Sequence, residues 1–293
     1  MKTLKNLLLA HGVIAGCLLF TACEQPAAEQ DPAPASDPAT TSPPVAQRTE
    51  VAPGELNYAD AIAPPGAKVK VGSRPFGYAA PTAALKLTPS VDHNKLMCEY
   101  RTEVTDFDLG ARTRDAGERG CYDDPKGQYV HVIVNNRDQY DVRDAAFAVP
   151  VNKGRDYVLS FLARSYGESV KDLNAFQNNE LVVAGDPGGE PKFFWGQEAT
   201  LFYYRPYGTY SLGEGKLVLL DFYLLNCTPA PGGYGVRATI DGDAFLLTRW
   251  APYFIEGLAP GEHTVRLELL DPSGKLVPGP YNDSGVRTFN VTG

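Results

Sequence analysis

The stretch from Gly232 to Val277, GGYGVRATIDGDAFLLTRWAPYFIEGLAPGEHTVRLELLDPSGKLV, constrains the fold most. It reads as strand, tight turn, strand, corner, strand, and a blurred copy of it lies upstream. Val130-His131-Val132-Ile133-Val134-Asn135-Asn136 parallels Val236-Arg237-Ala238-Thr239-Ile240-Asp241-Gly242. Asn152-Lys153-Gly154-Arg155-Asp156-Tyr157-Val158 parallels Ala259-Pro260-Gly261-Glu262-His263-Thr264-Val265. Before these, Leu96, Cys98, Tyr100, Thr102 and Val104 alternate as Val218, Leu220, Phe222 and Leu224 do, and Arg74-Pro75-Phe76-Gly77 is echoed by Arg205-Pro206-Tyr207-Gly208. Elements recurring in one order are the mark of tandem duplication.

Asp241-Gly242 suits a type I′ hairpin, whose two central residues both need positive φ. Val265, Leu267 and Leu269 alternate with Thr264, Arg266 and Glu268, giving one buried and one wet face. With 29 Gly and 24 Pro, the chain is punctuated too often for long helices. These signals predict an all-β protein of two tandem immunoglobulin-like β-sandwich domains, residues 67–186 and 187–293, with one helical turn between Glu168 and Phe176.

The amino terminus predicts export. A basic start with Lys2 and Lys5 and an apolar run to Ala22 make a signal peptide over residues 1–22. Leu19-Phe20-Thr21-Ala22-Cys23 resembles the bacterial lipobox, which makes Cys23 the lipidated first residue of the mature chain. Ile14-Ala15-Gly16-Cys17 fits locally, but cutting there leaves Leu18, Leu19 and Phe20 on the mature end. Residues 23–66 are rich in Pro, Ala, Thr, Ser, Asp and Glu and cannot bury enough surface to offset their ordering entropy. A disordered tether is expected, spanning on the order of 35 Å. Glu24 stands where an inner-membrane retention signal would place Asp, so the expected location is the outer membrane of a bacterial cell envelope.

In the first copy Val130, Val132 and Val134 are expected in the core, with His131 and Ile133 on the opposite face. Tyr157, Leu159 and Phe161 stand where the second copy carries Thr264, Arg266 and Glu268, so this outer face is apolar and wants a cover. Either the second domain or a ligand or partner supplies it. Phe193-Phe194-Trp195 and Phe202-Tyr203-Tyr204, with Trp250 and Tyr253, are read as core or as surface rings that stack on sugars or peptides. Export permits a disulfide, and Cys98–Cys121 is the local pair, worth about 3 kcal/mol in the chain-entropy model. Cys227 is read as a small buried side chain.

Leu219-Leu220-Asp221-Phe222-Tyr223-Leu224, Val236-Arg237-Ala238-Thr239-Ile240, Trp250-Ala251-Pro252-Tyr253, Ile255-Glu256-Gly257-Leu258 and Leu276-Val277-Pro278-Gly279-Pro280 resemble a family of uncharacterised envelope lipoproteins of Bacteroidetes-type bacteria. Some of that family carry the label phosphopeptide-binding protein. Gly127-Gln128-Tyr129-Val130-His131-Val132-Ile133-Val134-Asn135 and Ser165-Tyr166-Gly167-Glu168-Ser169-Val170-Lys171 match its first half. The resemblance implies tandem sandwiches and no established activity. The family motif Gly-x-His-h-His (h apolar) puts two histidines on one strand face, and here Tyr129 replaces the first.

That replacement weakens a metal reading of His131, because a phenol is a poor zinc ligand and His93 and His263 lie elsewhere. Asp241-Gly242-Asp243 and Asn282-Asp283-Ser284 offer too few oxygens for calcium. Gly185-Asp186-Pro187-Gly188-Gly189 lacks the strand-to-helix setting of a phosphate loop and reads as an interdomain linker. The chain holds no nucleophile elbow, no His-Glu-x-x-His and no Cys-x-x-Cys, and no cofactor is implied. A net charge of -8 argues against nucleic acid. The expected function is non-catalytic: a lipid-anchored binding or structural module for an envelope protein, peptide or glycan. The ligand-contact candidates are Tyr129, His131, Tyr157, Phe161, Trp250 and Tyr253. The alternatives are a metal or small-ligand site at His131, or an unrecognised hydrolase.

Overall fold

Strand-type alternation runs through almost every described segment of the chain. The computed structural model describes residues 55–77, 82–183, 192–193, 198–212 and 217–293. The expected signal peptide over 1–22, Cys17, Cys23, the expected tether through residue 54, Gly185–Gly189, Phe194 and Trp195 lie outside the described residues. Among those described, the helices are two 3-10 turns, Tyr58–Asp60 and Ala116–Glu118. The turn expected between Glu168 and Phe176 is not helical: tight turns there lead into a strand that starts at Phe176.

The first two strands, β1 (Ala61–Ile62) and β2 (Lys70–Ser73), are followed by β3 (Ala84–Asp92), β4 (Met97–Thr105), β5 (Tyr129–Val134), β6 (Asp138–Val142), β7 (Ala146–Pro150), β8 (Gly154–Ala163), β9 (Phe176–Val183) and β10 (Lys192–Phe193). A three-stranded sheet, β3-β4-β7, faces a five-stranded sheet, β6-β5-β8-β9-β10. Between them lie Cys98, Tyr100, Val130, Val132, Val134, Val158, Leu162 and Leu181, all buried. Each fully buried Val or Leu contributes about 1.5–3 kcal/mol.

The second sandwich uses β11 (Thr200–Arg205), β12 (Gly208–Ser211), β13 (Val218–Leu225), β14 (Gly235–Ile240), β15 (Asp243–Leu247), β16 (Tyr253–Glu256), β17 (Gly261–Leu270) and β18 (Arg287–Thr292). Its sheets are β11-β13-β16-β2 and β1-β15-β14-β17-β18-β12. Val218, Leu220, Phe222, Val236, Ile240, Val265 and Leu267 fill the space between them. Strands β3 to β9 correspond in order to β11, β13, β14, β15, β16, β17 and β18. In both copies the first, second and fifth of the seven share one sheet and the other four share the second, an immunoglobulin-like arrangement. The repeat holds to the residue: Val134 pairs with Val158, and Ile240 with Val265. Asp241 and Gly242 have φ of 47° and 94°, as a type I′ turn requires.

Three expectations need correction. First, order begins well before residue 67. Asn57 bridges Ser73, β1 pairs with Leu246 and Leu247, and β2 pairs with Tyr253–Glu256. This strap completes both sheets of the second sandwich, so Lys70–Ser73 belongs with the second domain rather than the first. Its composition explains why it orders: Ala61, Val69 and Val71 are buried in that sandwich's core. Second, Arg74–Gly77 follows an added strand while Arg205–Gly208 ends a repeat strand, so their likeness is not part of the duplication. Third, Cys98 and Cys121 are free. Cys98 is sealed in the first core, whereas the 112–120 insertion carries Cys121 to Leu217, Leu219 and Phe254. Burial pushes the two thiols up to about 11 and about 12.

Candidate functional site

The apolar outer face of the first sandwich is covered by the second. Tyr129, Ile133, Leu159 and Phe161 on β5 and β8 pack against Phe202, Tyr204, Tyr223 and Leu225 on β11 and β13. The Phe161 ring stacks on Tyr223, centroids 4.9 Å apart, and meets Tyr204 edge-on at the same 4.9 Å, while Phe176 lies 5.3 Å from Tyr223. Of the two covers the sequence allowed, the neighbouring domain supplies this one.

His131 sits inside that interface, fully buried, with its ring 4.3 Å from Tyr204 and 5.3 Å from Phe161. Its Nδ1–H donates to Asp141 Oδ1 on the paired strand β6 (2.6 Å), and Tyr207 donates to the other carboxylate oxygen (3.1 Å). Burial holds the imidazole below its usual pKa despite the carboxylate. Burial also pushes Asp141 up, but the bond from His131 and the nearby Arg205 charge outweigh this and leave its pKa lowered. Tyr129 reaches across the interface: its hydroxyl shares a 2.6 Å bond with Tyr204 and accepts from Arg205 Nη2 at 2.6 Å. The Tyr129 phenol therefore has a docking role. Among the described residues no group of three or more His, Cys, Asp or Glu side chains converges as metal ligands.

A second docking element comes from amides. Asn136, in the turn after β5, donates to Leu201 O (3.2 Å) and accepts from Tyr203 N (2.7 Å). Gln139 donates to Tyr203 O, while Asn282 accepts from Leu201 N and donates to Ala199 O. The free edge of β11 is thus sealed by side chains. No sequence motif announces this, although Asn135-Asn136, both at φ 53°, is legible as a turn.

The third element is ionic. Glu168, fully buried, accepts from Arg119 (2.6 Å), Arg164 (3.1 Å) and the strap's Gly77 N (2.7 Å). Asp221 on β13 accepts from Lys171 Nζ (2.5 Å) and from Ser169 N and Oγ, each at 2.8 Å. Lys171 donates to the Ser169 hydroxyl as well, so the ammonium, carboxylate and hydroxyl form one buried cluster across the interface. The Ser165–Lys171 segment singled out by resemblance is therefore a tie between the sandwiches.

What remains open is a cleft along one side of the interface, of about 380 Å3, between β8 and β9 of the first sandwich and β11 and the 278–281 loop of the second. Tyr157 and Tyr281 meet edge-on across it at 5.8 Å, and Phe202 lies 5.4 Å from Tyr281. Tyr281 is held by its hydroxyl's bond to Asn135 Oδ1 (3.1 Å). Asn178, Thr200 and Glu198 supply the polar lining, with Glu198 its only ionisable side chain apart from the tyrosines among the described residues. A neighbouring groove of about 530 Å3, lined by Leu173, Phe176 and Trp250, shares Asn178 and Leu225 with the cleft.

Of the six ligand-contact candidates, Tyr157 lines the cleft and Trp250 the adjoining groove. Tyr129, His131 and Phe161 are buried between the sandwiches. Tyr253 is in the second core, where its hydroxyl donates to Arg249 O. Phe202 is buried at the interface and also lines the cleft, whereas Tyr281 was missed, because it stands in a loop where no period marks a rim aromatic.

No family model matches the sequence, and no curated protein matches it. Among solved structures the chain is similar to the fibronectin(III)-like modules of CbhA from Clostridium thermocellum, at 8% identity and a TM-score of 0.24, over 67% of this chain and 85% of that one. It is also similar to SGBP-B of the Bacteroides ovatus mixed-linkage glucan utilization locus, whose structure holds a mixed-linkage heptasaccharide. There the identity is 11% and the TM-score 0.19, over 79% of this chain and 70% of that one. At such scores the fold assignment rests on the strand order and register above. No helix among the described residues is long and apolar enough to cross a membrane.

Proposed function

We propose that this protein is a non-catalytic binding module of the bacterial envelope, anchored through Cys23 and held off the outer membrane by its Pro/Ala-rich tether, with the inter-sandwich cleft as its ligand site. The observation that carries the reading is the cleft's lining. Two half-buried rings, Tyr157 and Tyr281, stand beside the buried Phe202 with, among the described residues, one carboxylate and no second acid or base. Hydrolysis by acid–base chemistry needs two ionisable groups with separated pKa values, whereas recognition needs faces and hydrogen bonds. The lipobox and tether residues support the anchoring half of the proposal, and the ligand classes it covers are protein, peptide and glycan.

Two experiments test it. Metabolic labelling with a fatty acid, followed by membrane fractionation, is expected to label the chain and to lose the label in Cys23→Ser; equal labelling of both sinks the anchor. Hydrogen exchange of the full chain, with and without soluble envelope extract, is expected to protect the backbone around 157–158, 199–202 and 278–281. Protection confined to other surfaces would move the site elsewhere.

A further inference from the structure

We infer that the cleft takes a neutral polysaccharide chain, an inference that rests on the cleft being the ligand site. Charge is the first argument. Among the described residues the lining carries one carboxylate, Glu198, and no Lys, Arg or His, in a chain of net charge -8. Phosphate, sulfate, uronate and peptide carboxylate favour cationic partners, and the described lining places none there.

The second argument is the state of the backbone. Extended peptides gain affinity by adding a strand to an open sheet edge. The strand edge that faces this site, β11, has its carbonyls and amides from Ala199 to Tyr203 already occupied by Asn136, Gln139 and Asn282. Of the cleft's other walls, β8 is paired on both sides, with β5 and β9, and β9 is covered by β10 opposite Asn179 and Glu180. A peptide would find no continuous main-chain ladder.

The third argument is what the cleft does offer. Flat apolar rings at an angle to each other suit the C–H faces of sugar rings, and amide and hydroxyl side chains suit their hydroxyl edges. Because the cleft shares Asn178 and Leu225 with the groove under Trp250, the bound chain has a second aromatic position along the same side of the molecule.

The test is affinity electrophoresis of the full chain in native gels carrying a neutral β-glucan, xylan or mannan, with proline-rich and phosphorylated peptides titrated in parallel. Retardation by at least one neutral polysaccharide is expected, weakened about tenfold or more by Tyr281→Ala or Tyr157→Ala. Tyr281→Phe keeps the ring and is expected to keep binding; it also separates lost contact from lost fold, as does an unchanged melting curve. Binding of a peptide, lost in the cleft variants, without any polysaccharide binding overturns the sugar inference and leaves the cleft as a ligand site. Polysaccharide binding that ignores both tyrosine variants, or no response to any probe, overturns the inference and the cleft reading together.

Discussion

The two sandwiches share seven strands and one register, yet they differ in every surface. On the first, the outer face of β5 and β8 is apolar and buried; on the second, the matching face of β14 and β17 carries Arg237, Thr239, Arg266 and Glu268. Ion pairs tie Arg237 to Glu268 at 2.7 Å and Arg266 to Asp283 at 2.6 Å. The reverse holds for the other sheet: β13 turns Asp221, Tyr223 and Leu225 inward to the interface, while its counterpart β4 turns exposed Glu99, Arg101 and Glu103 to water. The contact is thus head-to-tail, a geometry that adds further copies unless its ends are blocked. Both outermost faces are charged instead, which disfavours repeating the contact.

The edges differ as well. The first sandwich seals its leading strand internally, with Gln177 accepting from Leu87 N (2.9 Å) and donating to Leu87 O (2.8 Å). The second has its leading strand sealed largely from outside, by Asn136 and Gln139 of the first, and both its sheets are extended by the strap. The lesson is dependence: the second sandwich is finished by residues that precede the first and by side chains that belong to it.

That asymmetry can be broken most severely at the strap. Deleting residues 55–73 uncovers β15 and β16 and removes buried Ala61, Val69 and Val71, an expected loss of more than about 3 kcal/mol. Hydrogen exchange should show β14–β17 opening before β5–β8, and uniform protection would refute the dependence. Next comes Asp221→Asn, which strands the buried Lys171 ammonium at a cost of about 3–5 kcal/mol, read from denaturant midpoints. An unchanged midpoint would mean that the pair is solvated. Asn136→Ala leaves Leu201 O and Tyr203 N unpaired and is expected to cost about 1–3 kcal/mol, matched by Gln177→Ala in the first sandwich. If only one of the two destabilises, edge sealing is not a shared device.

The smallest effect contrasts two His–Asp pairs, His131–Asp141 and His263–Asp241, each 2.6 Å. Burial lowers the pKa of His131, so its stabilising contribution is present above the unfolded value near 6.5 and is lost as pH falls below it. Partial burial also pulls His263 down, but bonds to the Ala259 carbonyl and the Asp241 carboxylate outweigh this and raise it. Its contribution is complete below the unfolded pKa and is lost as pH rises through the raised one. Denaturant midpoints between pH 5 and 8 should therefore slope in opposite directions when His131→Gln and His263→Gln are each subtracted from wild type. Slopes of the same sign would show that one ring is not where its pairing places it.

Much of the fold was legible because its signals are local. Period-two alternation in Val265–Leu269, the Asp241-Gly242 turn and the paired repeats each depend on a few neighbouring side chains, and all hold in three dimensions. The apolar outer face at Leu159 and Phe161 was legible too, along with its need for a cover. The candidate site was far less so. Of the proposed contacts only Tyr157 and Trp250 reach a cleft or groove, while Tyr129 and His131, read as ligand candidates, are spent on docking. The disulfide failed for the same reason, since sequence proximity of Cys98 and Cys121 says nothing of which core each enters.

By itself, then, the sequence determined the strands, the duplication and the hairpin geometry, because backbone sterics and alternating hydrophobicity act over a few residues. Only the tertiary structure decided that residues 55–77 complete the second sandwich, that Asn136, Gln139 and Asn282 close β11, and that Tyr281 and Phe202 frame a cleft. Those choices are set by pairings between residues far apart in the chain. A strand's free edge, a buried charge or a rim aromatic has no period of its own, and it acquires meaning only from what packs against it.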